Sequence, residues 1–296
     1  MIFDKIIGNE HNKINLRNML ESNTISHSYI FSGQEGIGKI LFAKEFAKAI
    51  LCTNQGNIVC NKCKSCLEFD NSNHPDLTII DEEESIKIEK IRELNKKVYE
   101  KPIVSNKKVY IINNCHEMTV EAQNALLKTL EEPPSFVVFI LVTHNEQELL
   151  TTIKSRCIKI MFNKLTNDEV TKILKESLNV QNINLDIIKT CNGSIKKFLE
   201  VNKNEELYIN TRKTFCNIEE FDYIDFLKQK EIIFSNKEEA NNILEFALQI
   251  LFEKGNFKYL NCISAIDKAK ERLKKNSNYD MTIDRFLLKT WEEING

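Results

Sequence analysis

Glycine and proline are scarce in this sequence, 8 and 4 of 296 residues. With so few helix breakers, long helices are expected. No charge of one sign accumulates: 41 basic side chains stand against 43 acidic ones, which speaks against a free-standing nucleic-acid binder, usually a basic protein. Long apolar runs are missing too. The longest uninterrupted one, Phe136 to Val142, is far short of the ~20 residues that cross a bilayer, so no membrane partner is expected. The opening MIFDKIIGNE carries acidic residues and no apolar signal core, and the expected location is cytoplasmic. No internal repeat or low-complexity linker interrupts the chain, whose length suits two or three domains.

Against this background, SGQEGIGKI at residues 32–40 stands out. It follows the apolar run Tyr29-Ile30-Phe31 and precedes Ile40, Leu41, Ala43, Ala47, Ile50 and Leu51, which recur at helical spacing. Gly33, Gly38 and Lys39 fit the phosphate-binding pattern G-x-x-x-x-G-K-[ST], and Gly36 adds a flexible point. The last position is wrong. A hydroxyl there would bind Mg²⁺ on the nucleotide, and Ile40 has no side-chain oxygen.

Nine cysteines are many for a reducing compartment, where disulfides are not expected. Cys115, Cys157, Cys191, Cys216 and Cys262 are scattered and read as small buried apolar residues. The other four are not scattered. In CTNQGNIVCNKCKSC, Cys60, Cys63 and Cys66 are spaced C-x2-C-x2-C, and Cys52 stands at the end of the preceding helical pattern. Four thiolates closing a tetrahedron make a structural zinc site with no open position. Lys62 and Lys64 sit beside the ligands to offset the negative charge. Thr53 to Val59 holds almost no core-forming residue, so metal would supply the order of that segment. Free thiols and an iron–sulfur cluster are the alternatives, and no Cys-Pro of the ferredoxin run follows.

A second motif is damaged. Val109 to Ile112 reads as a strand, after which phosphate-hydrolysing P-loop proteins place an acid on magnesium, often with a second acid beside it. Asn113 and Asn114 hold those places, and Asn cannot act as a general base. Thr119 reads as the N-cap of a helix stopped by Pro133-Pro134, and FVVFILVTHN then reads as a strand buried on both faces. Helix-like and strand-like stretches alternate over residues 1–162, which predicts an α/β domain with a parallel sheet. TNDEVTKILKESL carries a capping box, Thr166 with Glu169. From about residue 206 the pattern is helical throughout. Residues 201–296 hold 15 basic and 17 acidic side chains, so that part does not read as a DNA-binding module.

The motifs FDKIIGNE, HSYIFSGQEGIGK, the four-cysteine insert, EAQNALLKTLEEPP and SRC, in this order, resemble the clamp loaders of the AAA+ class, and most of all the delta-prime subunits of bacterial DNA polymerase III. They cover about the first 160 residues densely. NGSIKKFLE at 192–200 resembles the later sensor-2 region, where Lys196 or Lys197 takes the place of an arginine or is merely a solvated helix-end charge. Beyond about residue 205 no motif is visible. The resemblance implies an AAA+/RecA-like P-loop domain (1–162, zinc module about 52–66), a small helical lid (163–205) and an all-α oligomerisation collar (206–296). It implies a hetero-pentameric ring with a motor ATPase and a clamp-opening subunit, acting on a sliding clamp and primer-template DNA through the assembled complex. It also implies that Arg156 of SRC acts in trans as an arginine finger on the neighbour's ATP; the alternative is an ordinary surface ion pair. With Ile40, Asn113 and Asn114 all lacking the needed oxygen chemistry, no ATP hydrolysis in cis is expected, and Gly33, Gly36, Gly38 and Lys39 form a degenerate loop whose hold on a nucleotide stays open. Two other readings remain: a catalytically active motor subunit, and a zinc ribbon that binds nucleic acid directly.

Overall fold

The computed structural model describes residues 2–54, 59–82, 84–180, 183–255, 257–275 and 277–296. Two compact units divide the chain: Met1–Ile183 with Asn192–Lys196, and Asn184–Cys191 with Lys197–Gly296. Among the described residues no helix is long and apolar enough to cross a membrane.

The first unit is the expected parallel α/β domain. Its strands are β1 (Ser28–Ser32), β2 (Leu77–Ile80), β3 (Lys108–Ile112), β4 (Val137–Thr143) and β5 (Ile158–Met161), in the order β2-β3-β4-β1-β5. All pairings are parallel. The helices α1 (Glu10–Glu21), α2 (Lys39–Leu51), α3 (Lys64–Asp70), α4 (Ile88–Val98), α5 (Val120–Glu131), α6 (Thr151–Lys154) and α7 (Asn167–Glu176) complete it. Period-two alternation sorts each central strand between two cores. Ile30, Tyr110, Ile112, Phe139 and Leu141 join one cluster with Ile91, Leu94, Leu126 and Leu130 of α4 and α5. Tyr29 and Phe31 point the other way, into aromatic packing with Phe42 and Phe46 of α2 and with Phe162. Each fully buried ring contributes about 1.5–3 kcal/mol by removal from water, which is why β1, β3 and β4 read as continuous apolar runs.

Local signals act as the residues suggest. The Thr119 hydroxyl accepts from the Ala122 amide to cap α5. Thr166 and Glu169 form the reciprocal capping box of α7. Of the scattered cysteines, Cys115, Cys191 and Cys262 are buried, but Cys157 and Cys216 keep partial exposure. The expectation of burial fails for these two because Cys157 borders the edge strand β5 and Cys216 ends a helix beside a surface cavity.

The second unit is all-helical: α8 (Leu185–Thr190), most of α9 (Ile195–Lys203), α10 (Glu205–Cys216), α11 (Tyr223–Lys228), α12 (Lys230–Ile233), α13 (Ala240–Lys254), α14 (Phe257–Lys274) and α15 (Tyr279–Asn295). Phe215, Phe226, Phe234 and Phe286 pack in its core, Phe215 stacked on Phe286 and the other two rings edge-on to this pair. Gly255 ends α13 at φ 67°, the left-handed turn that glycine adopts without a side-chain clash.

Candidate functional site

Parallel strands deliver their carboxyl ends to one rim of the sheet, where α/β proteins bind ligands. On that rim β1 runs through Ser32 into the loop 33–38 and then α2. Gly36 and Gly38 sit at φ 75° and 89°. At Gly36 a Cβ would fall 2.2 Å from Ser194 Oγ and 2.9 Å from the Lys196 nitrogen, so no side chain fits. The Ile195 amide donates to the Gly36 carbonyl at 2.9 Å, and Lys196 pairs with Glu35 at 2.6 Å. Of the two lysines left open by the sequence, Lys196 reaches the loop, whereas Lys197 pairs with Glu245.

Lys39 does not point outward. Its Nζ donates to the carbonyls of Gly33 at 2.7 Å and Gln34 at 2.6 Å, and the residue is buried. Burial pushes its pKa down to about 8, against the opposing pull of Glu35 and Cys115. Ile40 follows with no oxygen to offer. At the end of β3 the Asn113 side chain donates from Nδ2 to Asp81 Oδ1 at 2.7 Å. Asp81 escaped the sequence reading; its one signal is its place directly after the Leu77–Ile80 run. It does not replace the missing acid, because β2 lies three strand spacings, about 14 Å, from β1.

Two histidines on the rim were also missed. His116 is buried with its ring centroid 4.1 Å from that of His144. The Thr143 hydroxyl accepts from the Asn145 amide and also lies within hydrogen-bond distance of His116 Nδ1, at 3.2 Å. Burial, and then His144, hold His116 below its usual pKa. An open cleft of about 480 Å³ lies beside the loop, lined by Gly33, Gln34, His144 and Asn145 among others.

Arg156 stands on the opposite rim. It precedes β5, and its carbonyl accepts from the hydroxyl of Ser28, the first residue of β1. The loop begins beyond the last residue of β1. A five-residue strand separates the two by about 16 Å, so Arg156 does not serve its own loop. Its Nη2 pairs with the Glu131 carboxylate and its Nη1 donates to the Thr152 carbonyl at 2.8 Å, with 32% of the side chain exposed.

The four cysteines converge. All four sulfurs lie within 4.8 Å of one another, with Cys52–Cys60 at 3.6 Å, Cys60–Cys66 at 3.9 Å and Cys52–Cys63 at 4.0 Å. A tetrahedron of ~2.3 Å zinc–sulfur bonds has edges of about 3.8 Å, so these residues fit zinc. The Cys63 amide donates to Cys60 Sγ and the Cys66 amide to Cys63 Sγ, bonds that steady charged thiolates. Lys64 leans to Glu68 at 3.7 Å. Residues 55–58, within the segment expected to depend on metal, lie outside the described residues.

A hydrogen-bonded strut joins this module to the sheet. The Asp76 amide donates to His74 Nδ1, so Nε2 carries the proton and donates to Ser65, whose hydroxyl donates to the Leu51 carbonyl. The Asp76 carboxylate takes three amides, those of Ile103, Val104 and Ser105. Burial depresses the His74 pKa despite Asp76 and Glu68. A histidine with a depressed folded pKa contributes stability above its unfolded value of ~6.5 and loses it as pH falls below that value. We expect His74→Gln to flatten the loss of stability between about pH 6.5 and 5.5, by up to ~1.4 kcal/mol per pH unit, in paired urea titrations. Parallel pH profiles for variant and wild type would contradict the strut.

Residues 8–166, more than half of the chain, match the family described as DNA polymerase III, delta subunit. The chain is 36% identical over 206 residues to DNA polymerase III subunit tau/gamma of Haemophilus influenzae, covering 67% of this chain and 30% of that one. It is 30% identical over 323 residues to subunit gamma/tau of Mycoplasma genitalium, covering 98% and 53%. It is 33% identical over 195 residues to subunit delta' of Bacillus subtilis, covering 64% and 58%. The chain thus spans between 30% and 58% of the length of these relatives. A crystal structure of a DNA polymerase III gamma subunit-related protein from Thermotoga maritima shares the fold at TM-score 0.50 and 20% identity, covering 94% of this chain and 99% of that one. The chain belongs to the DNA polymerase III delta-subunit family of clamp-loader subunits.

Proposed function

We propose that this clamp-loader subunit is a stator that hydrolyses no ATP and lends Arg156 to the ATP site of a neighbouring subunit. One observation carries the reading: the two rims of the sheet are chemically opposed. On the loop rim, Ile40 brings no hydroxyl and Asn113 and Asn114 bring no carboxylate to magnesium or to the attacking water, and Lys39 is spent on its own loop's carbonyls. On the far rim a guanidinium stands part-exposed, out of reach of its own loop. Placed against the γ-phosphate of a neighbour's nucleotide, it would stabilise the charge that develops there.

The remaining parts follow from the same reading. The loop persists as a scaffold held by Gly36 against the 194–196 segment. The four-cysteine module takes a structural zinc. The helical C-terminal part serves as the collar, residues 163–205 as the lid, and the chain works in the cytoplasm within a hetero-pentameric ring that acts on a sliding clamp and primed DNA.

A second reading, an active motor subunit, is favoured by the gamma/tau names of several relatives. The missing hydroxyl at position 40 and missing carboxylates at positions 113 and 114 oppose it. Reconstitution with a motor subunit, a clamp-opening subunit, clamp and primed DNA separates the two. The stator reading expects loading to need this chain and to survive Lys39→Ala. Loading lost with Lys39→Ala in an intact complex would favour the motor.

A further inference from the structure

The charge balance of the helical unit hides a segregation. Helices α14 and α15 pack side by side and enclose a groove with a concavity of about 80 Å³. Lys268 and Arg272 line it from α14, and Arg285 and Lys289 from α15. Each pair is four residues apart, about 6 Å along its helix, so the four cations form two rungs down one groove. Ala265 and Ala269 keep the floor low, and Phe286 closes it.

Three acids of the same helices are drawn elsewhere. Asp280 and Asp284 pair with Lys230, and Glu271 with Lys275. Lys289 pairs with Glu292 at 3.0 Å. Lys268, Arg272 and Arg285 have no acidic partner within ion-pair distance among the described residues. Glu293 is the one acid in the lining, at the end of the groove beside Asn261.

We propose that this groove binds the sugar–phosphate backbone of a single nucleic-acid strand. The choice of nucleic acid over other polyanions rests on the clamp-loader reading. It is also favoured by the geometry: the concavity suits a phosphate group rather than a folded partner, the rungs repeat at the step between consecutive phosphates, and two of the four cations are arginines, which grip phosphate through paired N–H groups. The contacts are to backbone, so binding is independent of base sequence and falls steeply with salt.

Fluorescence anisotropy of the full chain with labelled oligothymidylate, from about 50 to 200 mM salt, tests this. Arg272→Gln/Arg285→Gln is expected to weaken binding about tenfold or more and to flatten the salt slope by about 1.4, two phosphate contacts' worth for a single strand. The control Lys274→Gln/Lys275→Gln removes the same charge outside the lining and is expected to stay within about twofold of wild type, with unchanged circular dichroism in both variants. No binding by wild type, or equal weakening by the two pairs, would overturn the groove. Displacement by polyglutamate at lower concentration than by unlabelled oligothymidylate would reassign it to an acidic protein segment and overturn the nucleic-acid choice. ATP turnover by the chain would defeat the stator reading and leave this titration untouched.

Discussion

Arg156→Ala, placed in a reconstituted complex where only the neighbouring ATP site is competent, is expected to slow turnover at that site by about 10³-fold or more. Assembly should be unaffected. The ion pair with Glu131 is partly exposed and contributes only about 0–1 kcal/mol, so losing it leaves the subunit folded. The same reasoning separates two roles for the residue. If Arg156 matters only as a partner of Glu131, then Glu131→Gln should slow turnover as much as Arg156→Ala. If it acts on the neighbour's phosphate, Glu131→Gln frees the guanidinium and turnover is retained. DNA-stimulated turnover that is the same with and without the arginine would contradict the finger.

The second large effect concerns the cysteine module. Cys60→Ser removes one of four converging sulfurs and is expected to abolish stoichiometric zinc and lower the unfolding free energy by about 4 kcal/mol or more. Ser65, His74 and the Lys48–Asp70 pair still tie α3 to its surroundings. The loss should therefore concentrate between residues 52 and 66, where limited proteolysis would open first. Elemental analysis of wild type purified without chelator should find one zinc per chain. Visible absorbance with iron in place of zinc would make the site a cluster, and metal-free protein of unchanged stability would remove the metal altogether.

Much of this was legible in local residue order. Buried parallel strands must be apolar on both faces, so β1, β3 and β4 announce themselves, and the glycines and C-x-x-C steps mark turns that few other residues make. Thr119 and Thr166 cap the helices their neighbours predict. What stayed hidden depends on chain segments far apart in sequence. Nothing local says that Lys196 meets Glu35 across 161 positions. Asp81 matters only through Asn113, and His116 only through Thr143 and His144. Counting charge over residues 201–296 gave near balance, because a count ignores which face of each helix a residue occupies. Pairing α14 with α15 is what gathers the four cations into one groove.

The most direct measurement is hydrolysis of magnesium ATP by the purified full chain, followed to many equivalents of enzyme and repeated with Lys39→Ala. The account predicts the same background trace for both proteins, since position 40 offers the divalent ion no hydroxyl and positions 113 and 114 offer no carboxylate. Turnover by the wild-type chain that disappears in Lys39→Ala would contradict it.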